Sequence, residues 1–198
     1  MSLIKLKNNA LDNLTSFEGS ASLGDMVFIS SATASSSASI EFTLGDYKEY
    51  KFFFVNIHPA TDTAKLTFQT STDNGSSYGV TATSTSFRTY HSEAGTDPSV
   101  SYDGSQDLAQ STSFASLGRY EGNDNDQNAG GYLTLFNPSS TTYVKHWLTV
   151  YTESFASNYT NTTFTGGYFN TLSALTNIKF QFSSGNIDDG KILMFGLN

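Results

Sequence analysis

Apolar and polar residues alternate with a period of two along most of this chain. The clearest case is Asn177–Phe182, in which every second residue is apolar, the spacing of a strand with one buried face. A polar run over 183–190 supplies turn-forming residues, and the segment Lys191–Leu197 is apolar at nearly every position. These features predict a β-hairpin at the end of the chain, with a second strand that is covered on both faces.

The same alternation predicts strands from residue 26 onward, separated by turns that contain Gly, Pro, Asn and Asp. The predicted segments before the final hairpin are Met26–Ser31, Ser37–Leu44, Glu49–Ile57, Ala64–Ser71, Tyr78–Tyr90, Gly131–Asn137, Thr142–Glu153 and Asn161–Asn170. A set of about nine strands suits two packed antiparallel sheets. The predicted fold is therefore an all-β, antiparallel β-sandwich that is jelly-roll-like.

Two stretches depart from this pattern. Residues 93–128 are rich in Gly, Ser, Asp and Asn, and because so long a loop is uncommon inside a domain, they are predicted to be functional or to hold short elements. Residues 1–25 are predicted to form a short extended N-terminal arm before a single sandwich domain of residues 26–198. The arm's apolar residues could be covered by a neighbouring subunit or could form an edge strand on their own domain. These candidate partner-binding residues are Leu3, Ile4, Leu6, Leu11, Leu14 and Phe17.

The composition supports sheets and narrows the possible functions. The 198 residues include 29 Ser, 25 Thr, 16 Phe and 11 Tyr, a mixture that favours pleated strands over helices. The absence of cysteine from the sequence excludes disulfides and thiolate chemistry. A net charge of −8, with ten scattered Lys and Arg, argues against nucleic-acid binding. No apolar run reaches the roughly 18 residues of a membrane helix, and the start of the chain lacks a signal-peptide pattern, so a soluble cytoplasmic product is expected.

Catalytic motifs are weak in this sequence, and the protein is predicted not to be an enzyme. The segment Gly75–Gly79 matches the spacing Gly-x-Ser-x-Gly, but a nucleophile elbow joins a strand to a helix, whereas this segment follows a tight turn. The three histidines, His58, His91 and His146, have no metal-ligand spacing. Each is expected to be an ordinary turn or strand residue.

An acidic loop provides the only ion-site candidate. The segment 121–128 is rich in Asp and Asn, and such oxygen ligands suit calcium, with Asp124 and Asp126 as the candidate ligands. The EF-hand pattern is missing and turns rich in Asn and Asp are well solvated, so an ordinary solvated loop is the favoured interpretation, and no cofactor is predicted beyond this possible calcium ion. Together with Glu121, these carboxylates are also candidates for hydrolysing a glycan. That reaction needs two carboxylates at a fixed separation, and a mobile loop would not hold them there.

Aromatic residues leave a second binding function open. Tyrosines and amides can recognise sugars, and six tyrosines lie at predicted loops or strand ends. Their spacing does not separate a carbohydrate site from ordinary strand composition. These residues are Tyr78, Tyr90, Tyr102, Tyr120, Tyr159 and Tyr168.

Several stretches together resemble small virion structural proteins of tailed phages, especially phages of marine and freshwater cyanobacteria. The resembling segments run through most of the chain. They are Tyr47–Phe52, Asn56–Asp62, Leu135–His146, Gly167–Asn170 and Ser183–Gly196. The family's closing segment resembles Ser-Gly-Asn-Ile-Asp-Ser-Gly-Thr-Ile-Lys-Leu-Tyr-Gly, from which this chain departs at Asp189, Lys191, Leu193, Met194 and Phe195.

The resemblance implies a virion component with a β-sandwich fold, assembled in the host cytoplasm, and it transfers no catalytic motif. A head decoration or cement protein is favoured because the short chain has no collagen-like or coiled-coil shaft. The alternatives are a short tail fibre that binds a host-surface glycan and a tail or baseplate protein. The implied partners are other copies of this chain, in a homo-oligomer for which a trimer is the expected state, and the major capsid protein or other virion proteins, with no nucleic acid and no membrane.

Overall fold

The computed structural model describes residues 26–155 and 157–198, which form twelve β-strands and no helix. The strands are β1 (Val27–Thr33), β2 (Ile40–Thr43), β3 (Glu49–Pro59), β4 (Leu66–Ser71), β5 (Ala82–Ser92), β6 (Ser99–Tyr102), β7 (Ala115–Ser116), β8 (Ala129–Phe136), β9 (Lys145–Phe155), β10 (Tyr159–Phe169), β11 (Asn177–Phe182) and β12 (Ile187–Leu197). The predicted all-β class is confirmed.

The predicted arm, residues 1–25, lies outside the described residues, as do all six of its candidate partner-binding residues. Within the described ranges, no helix is long and apolar enough to span a membrane.

The strands form two antiparallel sheets that pack against each other as a β-sandwich. The larger sheet has eight strands in the order β1-β12-β3-β8-β9-β10-β5-β6, and the smaller has four in the order β2-β11-β4-β7. At about 4.8 Å per strand, the larger sheet is about 34 Å wide and the smaller about 14 Å. The smaller sheet therefore covers only part of the larger one, and loops must cover the rest.

Aromatic side chains fill the space between the two sheets. Phe180 of β11 lies 5.4 Å from Phe52 and 5.3 Å from Phe54 of β3, measured between ring centroids. On the other side, the Phe68 ring of β4 meets the Trp147 ring of β9 at 4.9 Å, edge to face. These side chains are buried because alternation turns every second residue of each strand toward the opposite sheet.

The predicted C-terminal hairpin is wrong, although both of its strands exist. Strand β11 pairs with β2 and β4, whereas β12 pairs with β1 and β3 in the other sheet. The turn at 183–186 therefore carries the chain from one sheet to the other instead of joining two hydrogen-bonded neighbours. Strand β12 does lie centrally, between β1 and β3, but the predicted cover on both faces is not provided by the sandwich itself, because Leu193 and Phe195 point outward and are only half-buried.

The irregular middle of the chain holds short elements, as expected, and it covers exposed sheet edges. Strands β6 and β7 both lie within residues 93–128. After β6 the chain follows β5, where the Ser84 amide donates to the Leu108 carbonyl oxygen at 2.9 Å. Farther on, the Leu117 amide donates to the Leu66 carbonyl oxygen of β4, also at 2.9 Å. The segment thus connects the two sheets on the side where the smaller sheet ends.

Candidate interaction surfaces

Seven apolar side chains form a row across the outer face of the eight-stranded sheet, one from each strand from β12 to β6. Their strand registers place them opposite one another, and residues directly opposite in an antiparallel pair lie on the same face. Six intervals of about 4.8 Å make the row about 29 Å long. We call it the apolar row, and its members are Leu193, Phe53, Tyr132, Val150, Phe164, Phe87 and Tyr102.

Contacts between aromatic rings strengthen the apolar row. Phe87 and Phe164 stack at 4.8 Å with an interplanar angle of 8°. At the other end, Phe53 contacts Phe195 at 5.6 Å, and Phe195 contacts Phe28 at 5.5 Å. The outer face therefore presents a continuous apolar band that reaches from β6 to the β1 edge.

The band is exposed at Phe87 and Tyr102, is half-buried along the rest of the row, and carries little charge. Phe87 is 46% exposed, and Leu148, which lies beside the row on β9, is 55% exposed. The sequences of β1, β6, β8 and β10 contain no Asp, Glu, Lys or Arg. Lys51 lies near the row with its Nζ 4.8 Å from the Tyr132 ring centroid. A nearly uncharged face on a chain of net charge −8 is typical of a surface that another protein covers.

A buried polar cluster lies on the opposite, inward side of the same sheet. Glu121 and Glu153 are 0% and 1% exposed, and the Tyr151 hydroxyl donates to Glu121 Oε2 at 2.9 Å. Glu153 Oε1 accepts a hydrogen bond from the Arg119 amide at 2.9 Å and from Asn161 Nδ2 at 2.8 Å. The cluster fastens residues 118–121 to strands β9 and β10.

Burial controls the protonation of both glutamates. It raises the pKa of Glu153 to about 7, although hydrogen bonds from the Arg119 and Tyr120 amides favour the charged form. Burial also raises the pKa of Glu121 well above its ordinary value, and the charge of Glu153 raises it further. Because neither carboxyl is exposed, no polysaccharide can reach the pair, and its geometry is that of a structural cluster.

Two arginines share one carboxylate beside this cluster. Asp103 Oδ2 lies 3.0 Å from Arg119 Nη1 and 3.7 Å from Arg88 Nε, and the Asp103 side chain is 5% exposed. The Arg88 guanidinium also lies 4.5 Å from the centroid of the Tyr90 ring. This arrangement holds the start of the 103–122 segment against β5.

The structure brings together two of the six tyrosines considered for sugar binding and leaves others apart. Tyr90 and Tyr159 are 6.0 Å apart at one end of the β5–β10 pair. Tyr78 lies at the smaller sheet, where its hydroxyl donates to Glu41, and Tyr168 lies beside His146 on the outer face. Spacing along the chain could not find the Tyr90–Tyr159 pair, because 69 residues separate them and only the strand register joins them.

The predicted calcium ligands lie on the surface of the 121–128 segment. Asp124 and Asp126 are both exposed, whereas the neighbouring Glu121 is buried. Within the turn, the Asp124 carbonyl oxygen accepts a hydrogen bond from the Gln127 amide at 2.8 Å. Among the described residues, no group of three or more metal-ligating side chains comes together. Calcium binding by Asp124 and Asp126 stays a prediction.

The remaining candidates occupy turn or strand positions. Ser77 of the Gly-x-Ser-x-Gly match donates its hydroxyl hydrogen to Asp73 at 2.6 Å, and hydrogen bonds from Ser71 and Ser77 lower the pKa of Asp73 to about 2. This serine stabilises a turn. His58 lies near the carbonyl oxygen of Asp124, at 3.3 Å, while the other two histidines are exposed on β5 and β9.

Comparison of the chain with protein-family models, curated proteins and solved structures found no match. The resemblance to phage virion proteins therefore stays a prediction.

Proposed function

We propose that this protein is a structural component of a tailed-phage virion that decorates the capsid surface. It acts by non-covalent packing against other proteins and not by catalysis. The observation that carries the proposal is the apolar row, which crosses seven of the eight strands on the outer face of the larger sheet. A contiguous exposed apolar face on a soluble protein marks an interaction site. The resemblance to phage virion proteins likewise implies a role in packing against other proteins.

The occupant that fits the apolar row is a protein of the capsid shell. Two copies of this chain meeting through this face would bring together two molecules of net charge −8, and their charges would repel each other. A less acidic shell protein avoids that repulsion while it covers the same apolar side chains. Self-association into a trimer stays a prediction, and it would use surfaces other than the row.

Immunogold labelling of intact particles tests the proposal. Antibodies are raised against the purified chain and applied to particles from cells that carry this gene. Gold distributed over the head surface is the expected result. Label confined to one end of the tail would instead favour the fibre or baseplate alternative, and particles that never carry label would overturn the virion role altogether.

A second candidate function, a short tail fibre that binds a host glycan, is favoured by one specific observation. The Tyr90–Tyr159 pair lines a cavity on the side of the sheet opposite the apolar row. Aromatic walls of this kind suit sugars. Because a decoration protein could also carry such a cavity, the position of the label on the particle distinguishes the two functions, and glycan binding alone does not.

A further inference from the structure

A cavity of about 440 Å³ opens at the end of the β5–β10 strand pair. This volume falls within the range of small-molecule sites, about 300–1,000 Å³. The strand register places Tyr90 opposite Asn161 and Ser92 opposite Tyr159, so residues from two neighbouring strands share one wall. The lining includes Arg88, Tyr90, Asp97, Phe155, Tyr159 and Asn161.

Three aromatic rings form one wall of the cavity. The Tyr159 ring lies 6.0 Å from both the Tyr90 ring and the Phe155 ring, in edge-to-face geometry in each case. Such an arrangement leaves flat ring faces beside hydroxyl groups. A ligand that stacks there needs an apolar face and polar edges, which are the properties of a pyranose ring.

Asn161 belongs to the lining of the cavity, and its side chain is almost completely buried. Asn161 is 1% exposed, and its Nδ2 is fixed by Glu153 Oε1 at 2.8 Å and Thr163 Oγ1 at 3.1 Å. Its Oδ1 is buried and has no hydrogen-bond partner among the described residues. Because Oδ1 has almost no accessible surface, Asn161 supports the cavity wall and does not itself contact a ligand.

The charged residues of the cavity favour a neutral ligand. Arg88 is already near Asp103, with Nε and Oδ2 3.7 Å apart, and Asp97 adds an exposed carboxylate to the lining. A phosphate or a carboxylate ligand would be repelled by Asp97 and by the net charge of −8. Hydroxyl groups, in contrast, can donate to Asp97 and accept from Arg88.

We infer that this cavity binds one uncharged sugar residue of a glycan, stacked against Tyr159 and hydrogen-bonded to Arg88 and Asp97. The site goes beyond the proposed packing role, because it lies on the other side of the sheet from the apolar row. Tyr90 and Asn161 occupy strand positions that alternate with Phe87 and Phe164. A protein seated through its outer face would leave the cavity open.

Saturation-transfer difference NMR on the full chain tests this site. The probes are the methyl glycosides of glucose, galactose, mannose, N-acetylglucosamine and N-acetylgalactosamine. At least one glycoside is expected to receive saturation from the wild-type protein. Tyr159→Ala should weaken its binding at least tenfold, while Tyr159→Phe retains most of it because the ring remains. The matched control is Tyr168→Ala, which removes a tyrosine from the outer face of the same strand and should leave binding unchanged.

A second variant keeps the test decisive if Tyr159→Ala fails to fold. Asp97→Asn changes an exposed loop residue and should weaken the same glycoside several-fold without changing the circular-dichroism spectrum. The inference is overturned if no glycoside receives saturation, or if binding survives in both Tyr159→Ala and Asp97→Asn. Neither result would affect the packing role, which is measured by attachment to particles.

Discussion

Two consecutive glycines in β10 face opposite sides of the larger sheet. A Cβ on Gly167 would lie 2.6 Å from the Thr83 carbonyl oxygen and 2.8 Å from Trp147 Cζ2. On Gly166, the nearest atom would be Leu148 Cδ2 at 3.0 Å, the end of an exposed side chain that can rotate. The two positions therefore differ in how much extra volume they accept.

We predict that Gly167→Ala lowers the free energy of unfolding by about 1–3 kcal/mol, the usual cost of overpacking a core. Gly166→Ala should change it by less than about 1 kcal/mol, since surface substitutions are usually mild. Urea denaturation of both variants measures the difference. Equal losses in the two variants would contradict the close approach of β10 to β5 and Trp147.

The buried glutamates predict an unusual pH dependence. Their pKa values are raised in the folded state above the ordinary value of 4.5, so the folded protein binds more protons than the unfolded chain at pH 5–7. The contribution of these two carboxyls to stability is then full below pH 4.5 and is lost as the pH rises, through about 7 for Glu153. The expected slope is on the order of 1.4 kcal/mol per pH unit for each proton. Denaturant unfolding between pH 4.5 and 8 measures it.

Glu121→Gln separates this effect from the titration of other groups. The variant should be more stable than the wild type at pH 8 by at least about 1 kcal/mol, because glutamine is neutral in both states whereas Glu121 must take up a proton or bury its charge on folding, and its stability should depend less on pH. Asp126→Asn, an exposed acid in the same segment, serves as the control and should keep the wild-type slope. Stability that rises between pH 5 and 8 would contradict the account.

At the scale of elements, one glutamine on β4 anchors two loops. Gln69 is 0% exposed, and its Nε2 donates to the carbonyl oxygens of Val80, Thr112 and Ser113 at 3.1–3.2 Å. Its Oε1 accepts from the Thr70 amide at 2.7 Å. The loops before β5 and before β7 are thus tied to the same side chain.

Replacing this anchor should loosen both loops while the sheets persist. We predict that Gln69→Met lowers the free energy of unfolding by about 2–3 kcal/mol, because buried carbonyl oxygens lose their donor. Amide hydrogen exchange should accelerate over residues 111–118. Gln181→Met, on the neighbouring strand β11, is the control, since none of the described hydrogen bonds uses the Gln181 side chain. Unchanged exchange over 111–118 in Gln69→Met would count against the anchor.

Residues 1–25 can be removed without touching any strand of the described sandwich. We predict that the deletion leaves the melting temperature within about 5 °C of the wild type, because all twelve strands and the apolar core remain. Under the prediction that the arm binds a neighbouring subunit, the shortened protein should no longer attach to particles. Co-sedimentation with particles measures attachment, and a shortened protein that attaches normally would contradict a role for the arm.

Strand positions could be predicted from the sequence, whereas strand partners could not. The alternation in Asn177–Phe182 gave the bounds of β11 correctly, since a period of two follows from local geometry. The pairing of β11 with β2 and β4 depends on contacts with residues more than 100 positions away. A turn-rich segment such as 183–186 looks the same whether it closes a hairpin or crosses between sheets.

At the scale of the whole molecule, the two candidate surfaces lie on opposite sides of one sheet. Alternation shows that Phe53 and Phe164 point away from their buried neighbours, but only the registers of successive strands align them into the apolar row. The sugar cavity depends on register in the same way. Both surfaces were therefore beyond the sequence pattern.

Two exposed leucines allow the role of the outer face to be tested directly. Leu148 lies beside the apolar row and is 55% exposed, whereas Leu172 lies in the loop after β10 and is 58% exposed. Glutamate at either position costs little folding free energy, because both side chains already meet solvent. Only Leu148→Glu places a charge within the proposed interface, where burying it without a partner is costly.

The decisive measurement is the binding of purified protein to particles that lack it, compared for the wild type, Leu148→Glu and Leu172→Glu. The account predicts that Leu148→Glu binds at least tenfold more weakly and that Leu172→Glu binds as the wild type does, with all three folded and in the same oligomeric state by light scattering. Equal binding by all three proteins would contradict the claim that the outer face of the larger sheet seats this protein on the particle.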